Sequence, residues 1–213
     1  AGMELGAAAD IASNILSGMG MKASDLDGVV DKLAQTGRNA NTDVNQLGEA
    51  FKMVGPTAAA AGVDFDTTTT SLGLLANAGL QGGIGGSSLN SALRAMINPS
   101  KEAEREAKKL GLTFVDTNGK MLPMENILGQ LEEKSVSTKE SFKIFGTEGA
   151  RAMNALRNQG SAAFRALDRK IKESGGVAQD MAQNRLGSFD GAVKMLQSAF
   201  QGFGITIGTV FIP

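Results

Sequence analysis

Histidine, cysteine, tryptophan and tyrosine are all absent from this 213-residue chain, and each absence removes a class of chemistry. Without His or Cys there can be no Ser-His-Asp or Cys-His nucleophile system, no structural zinc cage and no disulfide framework. Only carboxylates, Lys/Arg, hydroxyls and amides remain. Phe is the sole aromatic residue, so few rings are available to stack on bases or sugars. With 21 Lys+Arg against 22 Asp+Glu and a net charge of -1, no basic field is present to hold nucleic acid. The sequence therefore predicts no catalytic residues, no cofactor, no metal and no specific nucleic-acid binding. The lack of thiols fits a reducing compartment.

What is present suits one large or two small domains. Leu, Ile, Val and Phe together make 50 of the 213 residues, enough for a core. The 28 Gly and 29 Ala point to many helix ends and close backbone contacts rather than packing by large side chains. The chain opens Ala1-Gly2-Met3-Glu4, without the basic stretch of a secretory signal. It closes in an apolar run: Met195 to Pro213 is 19 residues without a charge, diluted by Gln197, Ser198, Gln201 and several Gly. Both ends read as cuts in a longer chain.

Helix signals recur with stop signals between them. Leu26, Val29, Val30 and Leu33 form one apolar face after Ser24-x-x-Asp27 and before Gly37. Val44, Leu47, Phe51 and Val54 continue the pattern after a Thr42 cap; Gly55-Pro56 is expected to kink or end that helix, with Pro56 opening the next turn. Asp66 is expected to cap a helix carrying Leu72, Leu75 and Ala76, although Thr67 to Thr70 lower its propensity. Gln81 to Gly86 reads as a flexible connector, after which Ser87 caps a helix with Leu89, Leu93, Met96 and Ile97. Ser100 caps a charged helix from Lys101 to Leu110, closed by Gly111. Pro123 restarts a helix with Met124, Ile127, Leu128 and Leu131. Ser137-x-x-Glu140 is a capping box before Phe142 and Phe145, and Gly146 and Gly149 bracket a break before Met153 and Leu156. Phe164, Leu167 and Ile171 form a last stripe before Gly175-Gly176.

The period changes once. Leu112, Phe114 and Val115 to Met121 read as two short strands around an Asn118-Gly119 turn, a strong hairpin signal. At the end of the chain the pattern becomes a heptad seam: Ala182, Leu186, Phe189, Val193, Leu196, Phe200, Phe203, Ile207 and Val210 alternate steps of four and three. At about 1.5 Å per residue the seam would run roughly 42 Å. The expected fold is predominantly all-α. A compact helical module over residues 1–176 carries one short β-hairpin near 112–122, and a long heptad helix over 177–213 follows. The seam predicts self-association; a trimer and a hexamer fit it equally, since Phe, Val, Leu and Ile mix at both core positions.

Other motifs weigh towards structure rather than chemistry. Gly82-Gly83-Ile84-Gly85-Gly86 lacks the third Gly and the preceding parallel strand of a phosphate-binding fingerprint. Asp64-Phe65-Asp66 starts like a calcium loop, but Thr69 and Leu75 stand at its sixth and twelfth positions, so capping is the better account. Glu102, Glu104 and Glu106 interleave with Lys101, Arg105, Lys108 and Lys109 as a solvated face would. Glu132-Glu133 and Glu140 could be paired as glycosidase carboxylates, but no Trp or Tyr supplies a sugar platform. Among small-residue spacings, Gly204/Gly208 inside the apolar run carries the most weight.

The order of several pieces from Ala58 onward then carries a resemblance. These are Leu75-Ala76-Asn77-Ala78-Gly79-Leu80, Ser91-Ala92-Leu93-Arg94, Asn98-Pro99-Ser100-Lys101-Glu102-Ala103, Leu110-Gly111-Leu112, Val115-Asp116-Thr117-Asn118-Gly119-Lys120, Ile127-Leu128, Ile144-Phe145-Gly146, Ala150-Arg151-Ala152 and Gly187-Ser188-Phe189. Together they resemble the core region of the tail tape measure proteins of long-tailed bacteriophages and prophages. The resemblance implies a structural, non-enzymatic oligomer in the virion tail lumen, present in the host cytoplasm during assembly, which sets tail length, scaffolds the tube and takes part in DNA ejection. It also implies partners: the tail tube protein, tail tip or baseplate hub proteins, tail assembly chaperones, and the host membrane through apolar segments downstream. The rival readings are a tail-associated peptidoglycan hydrolase and a membrane-active helical protein unrelated to phage.

Overall fold

A computed structural model of the protein describes the backbone of residues 5–178 and 180, and side chains from Asp10 onward. The predominantly helical expectation holds. Among the described residues nine α-helices follow one another: α1 (Leu5–Met19), α2 (Leu26–Asn39), α3 (Val44–Ala60), α4 (Phe65–Asn77), α5 (Gly82–Ile97), α6 (Lys101–Lys109), α7 (Met124–Glu133), α8 (Thr138–Gln159) and α9 (Ser161–Lys172). A 3-10 turn at Ala23–Asp25 precedes α2. All nine helices belong to one compact unit that ends at Gly175. The heptad residues Ala182 to Val210 lie outside the described residues.

The apolar stripes become one continuous core. α1 packs on α3, α3 on α5 and α5 on α8, while α6 lies on α8 and α7 on α8 and α9. The stripe Met124, Ile127, Leu128 and Leu131 is wholly buried, as are Leu47, Phe51, Val54, Leu89, Leu93 and Met96. Phe51 and Phe65 stack with ring centroids 5.2 Å apart, joining α3 to α4.

α4 is the most enclosed element; from Thr68 to Ala76 every residue is buried. The Thr run lowers intrinsic helix propensity, yet packing on α2, α3, α5, α8 and α9 outweighs that cost. Its hydroxyls return to the backbone one turn earlier: Thr68 Oγ1 donates to the Asp64 carbonyl (2.8 Å), Thr69 to Phe65 (2.7 Å) and Ser71 to Thr67 (2.8 Å). A helix built this way buries polar side chains without leaving donors unpaired.

Helix ends differ from the sequence reading in instructive places. Asp43, not Thr42, caps α3 by accepting from the Gln46 N–H, and Asp64, not Asp66, caps α4 by accepting from Thr67. α2 has no side-chain cap, because Asp25 accepts instead from the Lys22 N–H, and the helix runs past Gly37 to Asn39. α3 continues through Pro56 to Ala60. Proline removes one donor there, but Lys52, the residue whose carbonyl loses its partner, is exposed to water. Ser100 and Ser137 cap α6 and α8 as expected, the latter in a complete box with Glu140.

The expected hairpin is corrected to a loop closed by a single antiparallel bridge, Val115 to Met121; no strand occurs among the described residues. A two-residue hairpin turn of type I′ needs positive φ at both central positions. Gly119 has it (φ 78°), but Asn118 does not. Asp116 organises the turn instead. Its Oδ1 accepts from the N–H groups of Asn118 (2.8 Å) and Lys120 (2.9 Å), and its carbonyl accepts from Gly119 (3.0 Å). Thr113, which would extend a strand, gives both of its backbone groups to the Gln130 amide at 2.9 Å.

Candidate interaction surfaces

The connector expected at Gln81 to Gly86 is not a loop. α5 begins at Gly82, and its glycines form the first turns. The reason lies across the core: a Cβ on Gly86 would sit 2.7 Å from the Ala50 Cα, so α3 and α5 meet backbone to backbone. Gly149 does the same on the other side of α5, where a Cβ would stand 3.0 Å from the Ala92 N and Cα. At Gly48 a Cβ would meet Ile11 Cγ2 of α1 at 2.8 Å. These contact glycines define the central stack α1–α3–α5–α8. Nothing in their own neighbourhoods of sequence marks them out, since their partners are distant in the chain.

Of the carboxylates weighed as catalytic, Glu132 and Glu140 are engaged in holding helix ends, and Glu133 is exposed. Glu132 accepts from both the N–H (2.5 Å) and the hydroxyl (2.9 Å) of Ser161, capping α9 from a neighbouring helix. Glu140 closes the Ser137 box, accepting from that residue's hydroxyl (2.6 Å) and N–H (2.8 Å). The Ser137 hydroxyl, and next its backbone N–H, hold the Glu140 carboxyl below its ordinary pKa, the direction opposite to that wanted in a general acid. Glu102 and Glu104 are exposed as expected, but Glu106 is buried, with Lys143 at 3.2 Å and Lys109 at 3.7 Å. It ties α6 to α8.

Two grooves open on the surface of this unit. The first, about 420 Å³, lies between the α3–α4 junction, residues 116–125 and α9, where Asp64, Asp116, Asp168, Lys120 and Lys172 converge. Its three aspartates already have partners. Asp64 and Asp116 hold the backbone as described, and Asp168 accepts from Lys172 Nζ (2.7 Å) and the Thr70 hydroxyl (3.4 Å). The bond to Asp168 raises the Lys172 pKa above the ordinary lysine value. Among the described residues no group of three or more Asp or Glu could hold a metal ion. The second groove, about 440 Å³, is lined by Arg94, Ile97, Asn98, Ser100, Lys143 and Gly146. Ile97 is well exposed, and so are Met53, Ile84 and Phe142. No described helix is long and apolar enough to cross a membrane.

The described unit is thus helical, with contact glycines at its centre and carboxylates holding helix ends. The chain belongs to the family of phage-related minor tail proteins, whose model matches residues 1–147. It is 24% identical over 218 residues to the tape measure protein of Pneumococcus phage Dp-1, an alignment covering 100% of this chain and 19% of that protein. It is 27% identical over 190 residues to the probable tape measure protein of Escherichia phage P2, covering 82% of this chain and 22% of that one. The chain thus spans about a fifth of the length of these curated relatives. No solved structure matches it.

Proposed function

We propose that this chain is a segment of a phage tail tape measure protein, and that residues 1–176 are its compact docking module. The observation that carries the reading is the alignment of the whole chain with one tape measure protein, joined to membership of the minor tail protein family. In this reading the parent protein is a structural oligomer of the tail lumen. It sets tail length, scaffolds the tube, is present in the host cytoplasm during assembly, and takes part in DNA ejection. The tube protein, tip or baseplate hub proteins and assembly chaperones are its partners, and apolar segments downstream meet the host membrane. Residues 177–213 form a heptad helix, and Ala182, Leu186, Phe189, Val193, Leu196, Phe200, Phe203, Ile207 and Val210 make the self-association seam.

A length ruler must be extended. The whole chain as one helix would reach about 320 Å at 1.5 Å per residue, whereas helices of 9 to 22 residues folded back on one another occupy far less. The ruler therefore starts with the seam or beyond it. Deletions within residues 5–175 are expected to abolish or spare assembly without shortening tails by a per-residue increment. Deletions in flanking helical repeats are expected to shorten them in proportion. Electron microscopy of tails from such mutants decides the matter, and proportional shortening by module deletions would remove the division. Solution mass with and without residues 177–213 tests the seam: a monomer in both cases counts against it.

A further inference from the structure

We propose that residues 101–145 form a flap, hinged along one groove of the unit and latched at another edge. The flap comprises α6, the bridged loop, α7 and α8 up to Phe145. Two backbone segments connect it to the rest, Asn98-Pro99-Ser100 and Gly146, and residues of both line the second groove. Gly146 interrupts α8 with φ 68° and ψ -178°, a conformation open essentially to glycine alone. A Cβ there would find nothing within 4 Å, so no neighbour packs over the hinge.

Inside the flap the ties are numerous. Glu106 and Lys143 join α6 to α8 at 3.2 Å, Thr113 and Gln130 join the loop to α7 through two bonds, and Phe114 meets Phe145 with centroids 5.4 Å apart. Across its boundary, two polar ties meet at the end of α7 and the turn after it. Glu132 binds Ser161, and the Arg157 guanidinium donates to the Val136 carbonyl. Part of the boundary runs along the first groove, whose walls belong partly to the flap (Asp116, Lys120, Met121) and partly to its surroundings (Asp64, Phe164, Asp168). The two grooves thus interrupt packing along two stretches of a boundary that is elsewhere closed by α7 on α9 and α8 on α5, and a body so bounded and held by a latch is one that opens as a cooperative unit below the global unfolding free energy. Opening presents the apolar face of α7, Met124, Ile127, Leu128 and Leu131, which in the closed form is buried.

Hydrogen exchange of the 213-residue chain, read by mass spectrometry, tests this and does not depend on the tail reading. Amides of α6, the loop and α7 are expected to share one opening event faster than that of α3 and α5. Glu132→Ala is expected to accelerate all flap amides, α6 included, by tenfold or more while leaving α3 and α5 unchanged. Glu132→Gln, which keeps an acceptor for Ser161, restores most of the protection. Gly146→Ala, which strains the hinge without a clash, is expected to accelerate the same set. If Glu132→Ala fails to fold, the Gly146→Ala pattern decides alone. Acceleration confined to the end of α7 and the first turn of α9 would reduce Glu132 to a local cap and overturn the flap. So would uniform acceleration across the whole unit. Either failure leaves the tape measure reading untouched.

Discussion

The stack of α3, α5 and the second part of α8 and the edge formed by α6 and the start of α8 are built on different physics. In the stack, helices meet where side chains are missing, at Gly86 on Ala50 and Gly149 on Ala92, and separation is set by backbone atoms that cannot move aside. At the edge, the Glu106–Lys143 ion pair spans α6 and α8, with Lys109 beside it on α6 and the Ser137 box closing the start of α8, groups that can reorient or meet water. The difference teaches where a glycine-rich chain is rigid. Glycine count alone does not predict looseness, because the position of the missing Cβ decides whether it brings two backbones together or leaves one free.

The sharpest way to break the comparison is Gly86→Ala. The added methyl must push α3 from α5, and a loss of about 3 kcal/mol is expected, as for overpacked cores. The control is Gly129→Ala in α7, where a Cβ would meet nothing within 4 Å. There the better helix propensity of alanine should raise stability by up to about 1 kcal/mol. Denaturant midpoints of the two variants should move in opposite directions; movement in the same direction would mean that the α3–α5 contact is not set by the glycine.

A smaller effect is expected at the edge. Lys143→Met leaves the buried Glu106 with only the longer Lys109 contact. Because both lysines are partly solvated, the cost should lie between that of exposed and buried pairs, about 1 to 2 kcal/mol. Chemical denaturation checks it, and Glu106→Gln in the same background should recover part of the loss, since the uncompensated charge is gone. A loss as large as that of Gly86→Ala would erase the distinction between stack and edge.

Much of this contrast could be read along the chain, and the reason it could not be read completely is locality. The α7 stripe and the caps Ser100 and Ser137 are decided within one or two turns, so the sequence carries them. The helical start at Gly82 is different, because the local cost of glycine argues for a loop and the compensation comes from Ala50, 36 positions away from Gly86. Glu106 looks solvated on its own helix, yet it is buried where α6 packs on α8 and Lys143 pairs with it. Asn118-Gly119 promises a hairpin, but Asp116 and the Gln130 amide take the hydrogen bonds that strands would need. The proposed seam rests on a sequence period alone and lies outside the described residues; the proposed flap boundary has no such period, being a property of which distant residues bond and which leave grooves.

The smallest expected effect, and the one that refines the edge, is the pH response of the α8 cap. The folded Glu140 carboxyl is held below its ordinary value of 4.5 by the Ser137 hydroxyl and N–H. A depressed folded pKa contributes stability that is present above the unfolded value and is lost as pH falls through the folded one. Ser137→Ala removes the larger of the two causes, so it should lower stability by about 1 kcal/mol at neutral pH through the lost cap. It should also flatten the fall in stability below pH 4.5, because folded and unfolded pKa values then lie closer together. Denaturant midpoints of parent and variant, followed from neutral pH to about 3, should therefore converge on acidification. Parallel curves would show that the hydroxyl caps the helix without coupling to Glu140, and the edge would then owe its α8 end to backbone capping alone.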